Sequence, residues 1–292
     1  MRIGIHTSIQ GALEKSAFRA VELGANTFQI FSASPRMWKA KPQPPERIVR
    51  LREARERFDL TPLVIHDNYL INLAAGDPVL RRRSVAAFRD ELRRAAAMGA
   101  DYLVAHPGSY AGQSLEQGIR NVARSLVEAA RGLQLNGLML LIENTAGSGA
   151  ALGSRFTELA EIRRLAAPQA DLDIGYCLDT AHCLAAGYDL ATAGGLTKTL
   201  HEAEEVLGLD RVRVIHANDS KTPLGSRVDR HQHIGKGHIG AEGFRRILRH
   251  PKLRRKAFIL ETPIDKKGDD RRNVDRLKQL CRRSRTTTEP LN

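Results

Sequence analysis

A chain of 292 residues, 42% hydrophobic and 27% charged, is long enough for one large α/β domain, and this composition excludes a disordered or low-complexity chain. No apolar run approaches the roughly 20 residues of a membrane helix, MRIGIHTSIQG lacks the features of a signal peptide, and Cys177, Cys183 and Cys281 form no CxxC pair, so a cytoplasmic protein without a disulfide framework is expected. A formal charge of +13, from 46 basic and 33 acidic residues, is the balance of a protein that meets a polyanion, with nucleic acid as the first candidate.

The first predicted strand, IGIH, ends at His6, and a helix follows over residues 11 to 24 with Leu13, Ala17, Ala20 and Val21 on one face and Gly24 as its stop. TFQIF ends at Phe31, the Pro-rich KPQPPE (41 to 46) reads as a loop, and LVIH ends at His66. A helix over 78 to 98 opens at Pro78 with Asp77 as N-cap and closes at Gly99, and its Arg81, Arg82 and Arg83 read as a solvated face. Strands ending at His106, Glu143, Asp179, His216 and Glu261 follow. Successive strand ends lie 25, 35, 40, 37, 36, 37 and 45 residues apart, room for a helical crossover each time. Such crossovers imply a parallel sheet, and eight units point to a single α/β domain, a (β/α)8 TIM barrel with its active site at the C-terminal ends of the strands. A doubly wound open sheet is the alternative, because periodicity does not encode closure. The barrel is assigned residues 1–281, and 282–292 are read as a basic, disordered tail.

Six of the eight strands end in an ionisable residue: His66, His106, Glu143, Asp179, His216 and Glu261. Unpaired, three carboxylates at one barrel mouth repel one another and lose hydration, whereas divalent cations satisfy carboxylates and imidazoles together. Three more candidates lie nearby: His182, three residues after Asp179, and the Asp-x-His pair Asp229 and His231 in SRVDRHQHIGKGHIG. Mixed nitrogen and oxygen donors favour Zn2+, with Mn2+ or Fe2+ as alternatives, over Mg2+ or Ca2+. Four carboxylates against three Zn2+ leave a positive balance that can ionise water and hold a phosphate. His201 and His250 read as structural or surface residues, and His6 as either a helper at the mouth or a core residue. Cys177, two residues before Asp179, is expected as a packed thiol one layer deeper. The glycines of IGKGHIG, without GxGxxG spacing, read as turn formers beside the site.

VIHDNYLINLA, AHPGS, LIENTAG, CLDTAHCLAAGYD, IHANDSK, SRVDRHQHIGKGHIG and LETP together closely resemble the endonuclease IV family of apurinic/apyrimidinic endonucleases, over about nine tenths of the chain. The resemblance implies a trinuclear zinc site: His66, His106 and Glu143 at one ion; Glu143, bridging, with Asp179, His216 and Glu261 at the second; His182, Asp229 and His231 at the third. It implies incision of double-stranded DNA 5′ to an abasic site, leaving 3′-hydroxyl and 5′-deoxyribose phosphate ends. Catalytic roles fall to Glu143 and Glu261, either of which orients a hydroxide held between the first two metals. It also implies DNA contacts at Arg36, Tyr69 and Leu70, the inserted residues, with phosphate contacts at Ser109, Lys221 and Arg230; for Leu70 and Trp38 a plain packing role is the alternative. The chain departs from the family's pattern at Ala181 and Cys183, neither a ligand position. A monomer is expected. The rival reading, a sugar isomerase or epimerase of the xylose isomerase type, leaves His182, Asp229 and His231 without a role and gives no reason for the charge. A lesion-sensing protein that does not cut requires a broken cluster, and all nine positions are filled.

Overall fold

The structure, a computed structural model, describes residues 1–40 and 42–282. The strands run β1 (Arg2–His6), β2 (Thr27–Phe31), β3 (Leu63–His66), β4 (Tyr102–Ala105), β5 (Met139–Glu143), β6 (Asp173–Asp179) and β7 (Val212–His216), then a short antiparallel pair, β8 (Asp219–Ser220) and β9 (His231–Gln232), and finally β10 (Ala257–Leu260). All but β8 and β9 are parallel neighbours in one closed barrel. Closure is made by β1 against β10, from Arg2 opposite Ala257 to Ile5 opposite Leu260, which decides for the barrel over the open sheet. β4 and β10 stop one residue before His106 and Glu261, so these two side chains stand at the first position of their loops.

The helices are α1 (Leu13–Glu22), α2 (Pro45–Arg57), α3 (Pro78–Met98), α4 (Leu115–Ala130), α5 (Phe156–Ala166), α6 (Thr180–Ala186), α7 (Ala193–Leu207), α8 (Gly240–Arg249) and α9 (Asp269–Cys281). α3 begins and ends as its punctuation predicts: the Asp77 carboxylate accepts from the Val79 N–H at 2.9 Å, and Gly99 turns left-handed at φ 68°. α1 is shorter than its apolar face suggests, with Gly24 beyond its end at φ 78°. In the Arg81–Arg83 run Arg82 and Arg83 are exposed, as a solvated face requires, and Arg81 is half-buried. The Arg83 guanidinium lies 4.1 Å over the Trp38 ring, which packs against the core and thereby takes the packing alternative.

Strand residues alternate between two cores. Val64, Val104, Leu141, Val214 and Ile259 fill the barrel together with Cys177, whose thiol burial pushes up to about 12 and which is the packed thiol expected below Asp179. The opposite faces of the strands pack under the helices. Among the described residues no helix is long and apolar enough to cross a membrane. Of the expected tail, residues 283–292 lie outside the described residues.

Candidate metal centre

The strand-end residues converge on one barrel mouth. Glu143 is their hub: His66 Nε2 lies 3.2 Å and His106 Nε2 3.6 Å from its Oε2, with His216 Nδ1 at 2.9 Å and His182 Nδ1 at 3.5 Å from Oε1. His66, His106 and Glu143 form one compact group of donor atoms, Glu143, Asp179, His216 and Glu261 a second, and Asp179, His182 and His231 a third. Asp229 bridges the last two imidazoles, at 3.2 Å from His182 Nε2 and 3.3 Å from His231 Nε2. His182 joins because α6 springs directly from β6, with Asp179 as its N-cap accepting the His182 N–H at 2.8 Å. Asp229 and His231 join because β8 and β9 fold the 219–232 segment back over the mouth.

The imidazoles are turned for cation binding. His66, His182 and His231 each donate Nδ1–H to a backbone carbonyl, of Asp67 (2.9 Å), Asn144 (2.9 Å) and Glu261 (3.1 Å), which fixes the tautomer and leaves Nε2 as the donor atom. His231 Nε2 is buried and faces the Asp229 and Asp179 carboxylates at 3.3 and 3.7 Å without hydrogen-bond geometry to either, the arrangement that a cation between them satisfies. His216 is reversed: Gln29 Oε1 accepts from its Nε2 at 2.8 Å, and Nδ1 faces the carboxylates of Glu143 and Glu261. A cluster of buried carboxylates and oriented imidazoles fits divalent cations.

The charges of the cluster shift one another's protonation. Burial works against ionising Glu143, yet the imidazoles of His216 and His106 hold it well below the usual carboxylate range. Glu261 is lowered in the same way against its burial, chiefly by the nearby His216 imidazole. Burial alone lowers His66, but Glu143, Glu261 and Asp67 raise it to about 9, while burial pushes His106 down to about 4. His182 and His216 are raised, against burial, by their carboxylate neighbours, Asp179, Asp229 and Glu143 for the first and Glu143 and Glu261 for the second.

Amides that carry no sequence periodicity complete the support. Gln29, buried on β2, also donates to Glu261 Oε1 at 2.5 Å, and Asn218 donates to Asp179 Oδ2 at 2.6 Å while accepting the Glu261 N–H at 2.8 Å. The one signal for Gln29 is a polar residue inside the apolar run TFQIF. His6 stands at the mouth, its Nδ1 3.7 Å from Glu261 Oε1. Asp219, buried, accepts from the N–H groups of Gly235, Gly237 and Ile239 at 2.9 Å, so the glycine-rich segment wraps a carboxylate of its own chain as a turn former. The exposed side chain of His201 pairs with Glu205, and His233 accepts from Asn273 and faces Asp265.

The remaining candidate residues lie on the surrounding loops, each after the C-terminal end of a strand. Arg36 is exposed after β2, Tyr69 is 67% exposed after β3 with Leu70 half-buried beside it, and Ser109 follows β4. Lys221 and Arg230 are exposed on facing sides of the β8–β9 hairpin, where the Lys221 N–H bonds the Arg230 carbonyl at 2.9 Å. Tyr69 stands between two adjoining cavities of about 450 and 330 Å3, which share His106, His182 and Asp229 as walls.

Residues 18–285 match the model of a family described as xylose isomerase-like TIM barrel. A protein named probable endonuclease 4 from Solibacter usitatus (strain Ellin6076) is 62% identical over 96% of this chain and 97% of its own. The crystal structure of endonuclease IV from Thermus thermophilus superposes with a TM-score of 0.84 at 39% identity, covering 96% of this chain and 98% of that one. A D-tagatose 3-epimerase-like protein, at 20% identity and a TM-score of 0.69 over 96% of this chain and 97% of its own, shares the fold alone. On relatives this similar along nearly the whole length, the chain belongs to the endonuclease IV family of xylose isomerase-like TIM barrels.

Proposed function

We propose that this protein is a cytoplasmic, monomeric DNA-repair endonuclease. It hydrolyses the phosphodiester 5′ to an abasic site in double-stranded DNA and leaves 3′-hydroxyl and 5′-deoxyribose phosphate ends. The observation that carries the reading is the convergence of nine ligand-type residues, including the His182, Asp229 and His231 group, at the mouth of a barrel of charge +13. Family membership and the names of the relatives support it.

In this reading His66, His106 and Glu143 hold one zinc ion, Glu143, Asp179, His216 and Glu261 a second, and His182, Asp229 and His231 a third, with Mn2+ or Fe2+ an acceptable occupant of one position. When bound, the ions supply Lewis-acid polarisation of the scissile phosphate and water ionised near neutral pH. Glu143 is sealed among imidazoles and would serve as the shared ligand, whereas Glu261, ionised and with its side chain 21% exposed, faces the mouth and would orient the attacking water. Arg36, Lys221, Arg230 and Ser109 hold the phosphate backbone, and Tyr69 with Leu70 fills the gap left by a flipped abasic nucleotide. The test is a duplex with one abasic analogue: a single cut on its 5′ side with the stated ends is expected, while an intact duplex and interconversion of a ketose with an aldose select the isomerase reading.

Arg36→Ala is expected to weaken DNA binding and lower the slope of log affinity against log salt by about 1, as loss of one phosphate contact does. An unchanged slope across a salt series removes Arg36 from the contacts.

Zinc uptake has to displace protons from His66, held at about 9, and from the raised His182 and His216, whereas His106, at about 4, arrives neutral. Affinity for zinc therefore rises with pH toward 9 and falls below neutrality. The metal-free protein runs the other way: the stability from His66 is complete below its ordinary 6.5 and is lost as pH rises through about 9. Calorimetric zinc titration at pH 7 in two buffers of different ionisation enthalpy is expected to register net proton release, and a titration that releases none contradicts the ligand assignment.

A further inference from the structure

The loops that carry Arg36, Tyr69 with Leu70, and Ser109 are tied to one another by two asparagines that bear no ligand role. Asn68, only 5% exposed, donates its Nδ2–H to the Met37 carbonyl at 2.9 Å and accepts the Leu70 N–H on Oδ1 at 2.8 Å. One partner only accepts and the other only donates, so a single orientation of the amide satisfies both. Asn72 does the same on the other side: Oδ1 accepts the Ser109 N–H at 2.9 Å, and Nδ2 donates to the Ser109 carbonyl at 3.0 Å. This approach requires glycine at 108, where φ is 101° and a Cβ atom would stand 2.2 Å from Asn72 Oδ1. The far side of the Arg36 loop is anchored by Trp38 under Arg83, and the Tyr69 ring meets Phe31 edge-on at 5.3 Å.

Tyr69 is two-thirds exposed, so nothing on its solvent side fixes it; its place is set by the backbone beneath. A loop that must be ordered on binding loses affinity for each immobilised side chain, and a loop already ordered does not. We propose that Asn68 and Asn72 lock the three loops into one preformed reading surface, so that discrimination of the lesion depends on two positioning residues outside the set of metal-ligand candidates. The inference rests on the proposed function above.

The test measures Kd for an abasic-analogue duplex and for the undamaged duplex, zinc content, KM and kcat, in the zinc-loaded wild type and in Asn68→Ala and Asn72→Ala. Each substitution is expected to lower the preference for the abasic duplex by about ten-fold and raise KM to match, with kcat and zinc content little changed. In an Arg36→Ala background the loss caused by Asn68→Ala should shrink, because the loop it holds no longer contributes its contact. If Asn72→Ala does not fold, Asn68→Ala and Arg83→Met, which releases Trp38, carry the test. Variants with wild-type preference and KM overturn the proposal, as do variants whose only defect is lost zinc. A wild type that binds abasic and undamaged duplexes equally contradicts the proposed function instead, and the lock then has no lesion to read.

Discussion

Glu261→Gln is expected to lower the rate of abasic-site cleavage by about 1,000-fold or more while the affinity for an abasic duplex stays within a few-fold of wild type. The substitution keeps the shape of the side chain and removes the charge that the site holds well below the usual carboxylate range. Glu261 is the carboxylate of the cluster that both contacts His216 and reaches the mouth, where its Oε1 accepts from Gln29. In the proposed assignment the loops that contact DNA do not depend on it. Single-turnover cleavage, binding to a non-cleavable duplex and metal analysis on one preparation separate loss of chemistry from loss of substrate or zinc. Near-normal turnover takes Glu261 out of the catalytic role.

Glu143→Gln is expected to be more damaging still. Its two carboxylate oxygens face four imidazoles, and in the proposed assignment it is the one ligand shared by two ions. Removing one partner of a buried charge pair costs about 3–5 kcal/mol, so the metal-free variant should unfold at a markedly lower temperature than the metal-free wild type. Zinc at the first two positions should be lost and cleavage should fall below detection, while His182, Asp229 and His231 retain a weaker third ion. A variant that keeps its full zinc complement and cuts DNA contradicts the shared-ligand role.

The strand ends are the part of the molecule most legible in the sequence, because a buried strand is a local apolar run and its last residue is fixed by where that run stops. His66, Glu143, Asp179 and His216 stand where the runs predict them, and His106 and Glu261 stand one residue beyond their strands. Barrel closure was not legible, since β1 meets β10 across more than 250 residues and no local pattern records that pairing. The supporting amides were hidden for a related reason. Gln29, Asn68, Asn72 and Asn218 act through bonds to groups on other elements, and such bonds depend on how closely loops approach rather than on spacing along the chain. Arg83 has the sequence context of a solvated arginine, and only the fold brings Trp38 beneath it. The glycines of IGKGHIG were readable as turn formers, but not the Asp219 carboxylate around which they turn.

In the proposed function, zinc held by the nine-residue cluster is what cuts DNA beside an abasic site. Stripping the protein with a strong zinc chelator and restoring Zn2+ in steps, with bound zinc per chain and incision of a duplex carrying one abasic analogue followed on the same samples, puts that to the test. Cutting 5′ to the lesion that disappears on stripping and returns as zinc approaches three ions per chain is the predicted result. A protein carrying three zinc ions that leaves the duplex intact would contradict it.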